Sequence, residues 1–152
     1  MKKILMAALL CQSTLALADI EVTEQYARAV PHGQLNSAAF MTLYNTDTTS
    51  LDLISASSPV AQHVELHTHS NVDGIMEMRQ IDKVVLLANQ KTMLKPGGFH
   101  VMLIDLLQEL NDGGSIPLTL HFSDNTTQTI TLPIKFAVPM KIDHSMPHKH
   151  AE

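Results

Sequence analysis

Short segments in which apolar and polar residues alternate follow one another along most of the chain, separated by residues that favour turns. Alternation with a period of two is typical of strands with one buried face, and these segments are rich in Val, Ile, Leu and Thr. The pattern predicts an all-β sandwich or barrel, in which only Leu103–Leu110 could instead form one or two helical turns. The predicted strands are Ile20–Ala29, Ala38–Asn45, Leu51–Ala56, Gln62–His69, Ile75–Gln80, Val84–Ala88, Thr92–Leu94, His100–Asp105, Ile116–Phe122 and Thr127–Leu132.

The N-terminal segment has a different pattern. Lys2 and Lys3 precede an apolar run that ends in small residues near Ala18. This arrangement is typical of a secretory signal peptide, and the run is shorter than the roughly 20 residues that span a membrane. We expect residues 1–18 to be removed and the exported chain to begin at Asp19.

The single cysteine of the chain, Cys11, lies within this predicted signal. It follows Leu10, where a lipid-attachment site would have a small residue, so we interpret it as part of the apolar run. The exported chain then has no cysteine, which excludes disulfides, thiolate metal sites and a cysteine nucleophile.

Length and charge narrow the classes of protein further. The exported chain of about 134 residues suits one domain, predicted over 19–135, followed by a Pro-, His- and Met-rich tail over 136–152 that we expect to be flexible. The net charge of −5 becomes about −7 without the two signal lysines. With no basic cluster, this argues against nucleic acid or a membrane as a partner. We expect a monomer.

Histidine and methionine, nine of each, are the chemically unusual residues of this sequence. In the strand His63–His69 the polar residues at every second position face one side, and Val64 and Leu66 face the other. Met76 and Met78 similarly share a face of the next strand. The imidazoles are therefore predicted to face outward or toward a rim, where a ligand can reach them.

A third strand repeats the pattern directly after a Pro-Gly-Gly turn. His100 and Met102 share one face, opposite Val101 and Leu103. An isolated methionine in a strand is more often core filler, and an isolated histidine is more often an ordinary surface or hydrogen-bonded residue. We assign these ordinary roles to Met41, Met93, one of Met76 and Met78, His32, His63 and His121.

Pairs of imidazole and thioether donors indicate which metal could bind. Thioether sulfur is a soft ligand with little affinity for Zn(II), Fe(II) or Mn(II), whereas Cu(I) accepts both thioether and imidazole. A set of two His and two Met is therefore a copper site suited to Cu(I). Without a cysteine thiolate it is not a blue-copper electron-transfer centre, which favours carrying the metal.

The same residues carry a family resemblance. The chain resembles periplasmic copper chaperones of the PCuAC type, whose signature has His, ten residues, Met, twenty-one residues and then His-x-Met. His67, Met78, His100 and Met102 reproduce that spacing. Flanking stretches such as "LKPGGFHVML" and "IPLTLHF" extend the resemblance over nearly the whole exported chain.

The resemblance implies a fold, a cargo and a task. It implies a cupredoxin-like Greek-key β-sandwich in the periplasm, with no enzymatic activity, that binds Cu(I) through His67, Met78, His100 and Met102. The implied task is copper delivery to a centre of a haem-copper (cytochrome c) oxidase, alongside Sco-like thioredoxin-fold copper proteins. His69 and Met76 are then accessory candidates.

The tail offers a separate set of donors. Its three histidines suit Cu(II) as well as Cu(I), so a second, weaker copper site is one hypothesis, and a solvated tail that happens to be His-rich is the other. The donors of this second site would be Met140, His144, Met146, His148 and His150.

Two other classes of protein remain open from the residues alone. A cupin-like mononuclear enzyme would use His67, His69, Asp73 and His100 to bind Fe(II) or Mn(II). The methionines and the spacing of these residues argue against it, and the sequence has no H-E-x-x-H or G-x-S-x-G motif. The third class is a binding or structural β-sandwich whose His and Met are incidental.

Overall fold

The computed structural model describes residues 20–136, in which all the regular structure is β-strand and no helix is long and apolar enough to cross a membrane. The strands are β1 (Ile20–Arg28), β2 (Ser37–Asn45), β3 (Leu51–Ser57), β4 (Ala61–Val72), β5 (Ile75–Gln80), β6 (Val84–Leu86), β7 (Lys91–Leu94), β8 (His100–Leu106), β9 (Ser115–Phe122) and β10 (Thr127–Lys135).

These ten strands confirm the sequence prediction, with small differences at their ends. The largest difference is in β4, which extends to Val72. Its last residue, Val72, pairs with Ile75 of β5 across a tight turn at Asp73 and Gly74. Both turn residues have positive φ, 52° and 85°, as two-residue hairpin turns require. The alternative of helical turns over Leu103–Leu110 is wrong, because the start of this segment continues β8.

The strands form two groups joined by one parallel pairing. Their order is β5-β4-β8-β2-β1-β10-β9-β3-β6, with β7 also paired with β2. Neighbours are antiparallel except β1 and β10, where Ala27 pairs with Ile134 and Arg28 with Lys135. This pairing places the end of β10 beside the end of β1.

One hydrophobic cluster lies between the two groups. Every second residue of β9 from Ile116 to Phe122 is buried in it, and so is every second residue of β2 from Ala39 to Leu43. Met41 is 2% exposed and fills this core as predicted. Met93 is 51% exposed, so the prediction that it fills the core is wrong: its neighbour Leu94 takes the inward position on β7.

The opposite face of β2 is also covered. Ala38 and Phe40 are buried, yet neither belongs to the main cluster. Because side chains alternate along a strand, these two residues point away from the core that contains Ala39 and Met41. On this second face, β2 is next to β8, and the candidate metal donors lie there.

Candidate metal centre

Three neighbouring strands bring the predicted donors onto one face. In the order β5-β4-β8, His67 of β4 pairs with His100 of β8, and His69 of β4 pairs with Met78 of β5. Directly opposite residues share a face of the sheet. Leu66, directly before His67 on β4, points into the core. The donors therefore lie on the face away from the main core.

His100 has a defined orientation at the centre of this group. Its side chain is buried, and its Nδ1 lies 3.0 Å from the carbonyl oxygen of Gly98. Because a carbonyl only accepts, Nδ1–H donates and the neutral ring keeps a lone pair on Nε2. That Nε2 lies 3.1 Å from Sδ of Met78. Two electron-pair donors thus face each other with no proton between them.

The surroundings of His100 favour the neutral imidazole. Burial is the main cause that lowers the pKa of His100 below its usual value, and the charges of His69, His67 and Arg28 lower it further. The hydrogen bond to Gly98 acts in the opposite direction but does not reverse the shift. A neutral ring is the form that binds a metal.

His67 and His69 of β4 also present ring nitrogens without partners. Nε2 of His67 lies 2.7 Å from Oε2 of Glu65, and since a carboxylate accepts, Nε2–H donates and the lone pair is on Nδ1. Nδ1 of His67 and Nδ1 of His69 are both buried with no hydrogen-bond partner. The carboxylate thus orients His67 as such groups orient metal-binding histidines.

The ring distances place His67 and His69 next to His100. The ring centroids are 5.8 Å apart for His67 and His100, and 5.1 Å apart for His69 and His100. His69 is therefore as near to the centre as His67, although the resemblance ranks it as accessory. Met76 is 56% exposed and lies two residues further toward the tip of the hairpin.

An open cavity of about 460 Å³ adjoins the donors. His69, Met78, His100 and Met102 line it together with Phe40. Met102 is half-buried and Met78 is 48% exposed, so two thioethers and two imidazoles share a space that is accessible from outside. His67 is not among the residues that line the cavity, although its ring lies next to that of His100.

The three histidines of the cupin-like alternative lie close together, but its carboxylate, Asp73, does not join them. Among residues 20–136, no three His, Cys, Asp or Glu side chains are grouped so that they could hold a metal ion. Asp73 lies in the turn at the tip of the β4–β5 hairpin, four residues beyond His69. A metal on this face would therefore need the methionines as donors.

Three residues of the site were not identified from the sequence. Arg28 and Phe40 reach it from β1 and β2: the guanidinium carbon is 5.2 Å from the centre of the Phe40 ring, which is 6.3 Å from the His100 ring. Glu65 could have been found, since it precedes His67 by two residues on the same strand face. The predicted signal and all five tail donors lie outside the described residues.

Comparison with known proteins gives concordant results. Residues 20–134 match the family described as "Putative lipoprotein LpqE-like". The uncharacterized protein RP573 of Rickettsia prowazekii is 34% identical over 123 residues, covering 78% of this chain and 68% of the relative. Solved structures are also similar, and two of them follow.

The solution structure of CuI-DR1885 from Deinococcus radiodurans is 30% identical, covers 77% of this chain and 80% of its own, and superimposes with a TM-score of 0.62. The copper-bound PCuAC domain from PmoF2 is 22% identical, with coverage of 80% and 97% and a TM-score of 0.67. The molecule thus has the all-β, cupredoxin-like fold of PCuAC domains, as the resemblance implied. The chain belongs to the LpqE-like family.

Proposed function

We propose that this protein is an exported copper chaperone that binds Cu(I) through His67, Met78, His100 and Met102. The observation that carries the proposal is the 3.1 Å approach of Met78 Sδ to the unprotonated Nε2 of His100. Two acceptors at this distance repel unless an electrophile lies near both. A soft monovalent cation that accepts thioether and imidazole meets that requirement.

The similar solved structures support the same metal. One is a copper-bound PCuAC domain and another a Cu(I) form, as their descriptions state. In this chain the buried, partnerless Nδ1 of His67 supplies a further imidazole donor, oriented by Glu65. Met102 completes the set from the wall of the cavity.

The placement of the donors suits a carrier that must release its cargo. His100 is buried on β8, between β4 and β2, whereas Met78 is half-exposed on β5, an edge strand whose six residues are all exposed. A partner can therefore displace the exposed thioether while the imidazoles still hold the ion. Thioethers do not protonate, so release depends on ligand exchange. The recipient we propose is a haem-copper oxidase copper centre, with Sco-like proteins as collaborators.

Anaerobic Cu(I) competition against a colorimetric chelator tests the site. The Met78→Leu, Met102→Leu double variant should bind Cu(I) at least tenfold more weakly, a loss of about 1.4 kcal/mol. Leucine keeps the volume and the apolar character, so folding should be unaffected. Met93→Leu is the matched control, because Met93 is equally exposed but lies on β7, away from the donors.

Equal Cu(I) affinity in the parent and the double variant would refute this assignment. Single variants decide whether His67 or His69 is the second imidazole ligand. We expect His67→Asn to weaken Cu(I) binding more than His69→Asn does. The reverse order would replace His67 with His69 in the ligand set and leave the two methionines in place.

We also propose a second copper site in the tail, able to take Cu(II). Its candidate residues follow Lys135 in sequence, and Lys135 pairs with Arg28 at the wall of the cavity. A chain ending at Val138 should bind one equivalent of copper fewer than the full exported chain. Unchanged stoichiometry would exclude the second site.

A further inference from the structure

Arg28 places a positive charge in the wall of the cavity, apart from the metal donors. It is the last residue of β1, and its guanidinium lies 5.2 Å from the centre of the Phe40 ring. The same cavity is lined by His100 and Met102.

This guanidinium contacts the Phe40 ring but has no anionic partner among the described residues. None of the ion pairs formed over residues 20–136 includes Arg28, and its Nε is buried without a hydrogen-bond partner. A partly buried cation without a counter-charge is costly. An anion delivered from solution would remove that cost, since a guanidinium binds a carboxylate through two parallel hydrogen bonds.

The rest of the cavity is complementary to one negative charge on an apolar body. Among residues 20–136, no Asp or Glu lines it, although the chain as a whole has a net charge of −5. Its walls include Phe40, Pro96 and Met102. The polar residues Gln34 and Asn36, which follow Arg28 closely in the sequence, also line it. A volume of about 460 Å³ is within the range of about 300 to 1,000 Å³ found for small-molecule sites.

We propose that this cavity binds a small organic monocarboxylate, with the carboxylate on Arg28 and an apolar or aromatic body against Phe40 and Pro96. An inorganic anion would satisfy only the guanidinium and leave the apolar walls in contact with water. The ligand would lie beside Met102 and His100. The site is defined without reference to a metal, so it does not depend on the copper proposal.

Calorimetric titration of the metal-free exported chain with benzoate tests the proposal. Benzamide is the matched neutral ligand, because it has the same shape and lacks the charge. We expect saturable one-to-one binding of benzoate and at least tenfold weaker binding of benzamide. Inorganic phosphate, titrated in parallel, should also bind at least tenfold more weakly.

Variants locate the interaction. Arg28→Met should weaken benzoate binding at least tenfold, whereas Lys95→Gln, which removes an exposed cation next to Pro96, should leave it unchanged. Should Arg28→Met fail to fold, Arg28→Lys provides the test: it keeps the charge and loses the paired hydrogen bonds, so binding should fall several-fold.

Three results would overturn the proposal: equal affinity for benzoate and benzamide, phosphate binding as tightly as benzoate, or a folded Arg28 variant that binds benzoate like the parent. All of these titrations are made without copper. A negative result therefore leaves the Cu(I) competition experiment unaffected, and a failure of that experiment leaves the carboxylate site standing.

Discussion

At the scale of single residues, the neighbours of His100 determine the orientation and the protonation state of its ring. The Gly98 carbonyl fixes its Nδ1, Met78 faces its Nε2, and the rings of His67 and His69 lie within 6 Å of its own. If His100 took up a proton, its positive charge would be repelled by any positive charge on the His67 or His69 ring. The arrangement is therefore suited to a neutral ring whose lone pair is available.

This environment predicts a pH dependence of stability in the metal-free protein. The pKa of His100 is lowered in the folded state, mainly by burial, and returns to about 6.5 on unfolding. Below about pH 6.5 the unfolded chain therefore takes up a proton that the folded chain does not. The free energy of unfolding should therefore decrease as the pH is lowered from about 6.5 to the lowered pKa of the folded state.

Denaturant unfolding between pH 8 and pH 5 measures the effect. The difference in unfolding free energy between pH 8 and pH 5 should be larger for the parent than for His100→Gln, which cannot titrate at this position. Subtracting the two curves removes the contribution of the other histidines. Parallel curves would show that His100 has the same pKa in both states.

At the scale of elements, the turn before β8 determines where His100 sits. Its backbone is closed by hydrogen bonds from Lys95 N to Phe99 O, 2.8 Å, and from Gly98 N to Lys95 O, 3.0 Å. The carbonyl oxygen of Gly98 also accepts from the backbone N–H of His69, at 3.3 Å. One carbonyl thus connects the turn to both β4 and the imidazole of β8.

The two glycines of this turn should respond differently to alanine. Gly97 has a φ of +79°, a conformation that costs a residue with a Cβ roughly 1–2 kcal/mol. Gly98 has no positive φ, and an added Cβ would meet the Lys95 Cγ at 3.5 Å, an ordinary contact. We therefore expect Gly97→Ala to lower the unfolding free energy by about 1–2 kcal/mol and Gly98→Ala to change it by less than about 0.5 kcal/mol.

Thermal and denaturant unfolding of the two alanine variants check this difference. A larger loss for Gly98→Ala than for Gly97→Ala would contradict the turn geometry. Cu(I) affinity measured on both variants adds information about the site. It should decrease in Gly97→Ala alone, since a rearranged turn moves the carbonyl that orients His100.

The sequence predicts local structure better than it predicts which strands meet. Alternation in β9 indicates both the strand and its buried face, since only one face is apolar. Arg28 could not be placed in this way. Its position depends on the parallel pairing with Lys135, remote in sequence, and on a register shift in β1 between Thr23 and Tyr26, where Glu24 has a φ of +55°. Such a shift changes which residues share a face.

The candidate donors show the same division. The spacing of His100 and Met102 predicts that they share a face, and the structure confirms that both line one cavity. The pattern in β4 predicts that its imidazoles face outward, but it does not show that Nδ1 of His67 is buried. That burial comes from the neighbouring strands β5 and β8, whose order along the sheet no local pattern specifies.

At the scale of the whole molecule, the start of the described fold bears on where the exported chain begins. Ile20 is already buried at 4% exposure and pairs with Asn45 as the first residue of β1. Cleavage after Ala18 would leave one residue, Asp19, before the fold. Lipid attachment at Cys11 would instead leave eight residues between the lipid and Ile20, as expected for a domain tethered to a membrane.

The family description names a lipoprotein, so the N-terminus of the exported protein, Asp19 or a lipid-modified Cys11, has to be measured. We predict that the exported protein, purified from a periplasmic extract without detergent, has the intact mass of a chain beginning at Asp19. Cys11→Ser should leave the yield and mass of that product unchanged, because Cys11 is removed with the signal. A product found in the membrane fraction, with a diacylglycerol-modified N-terminus that disappears in Cys11→Ser, would contradict this prediction and show that the protein is anchored to the membrane.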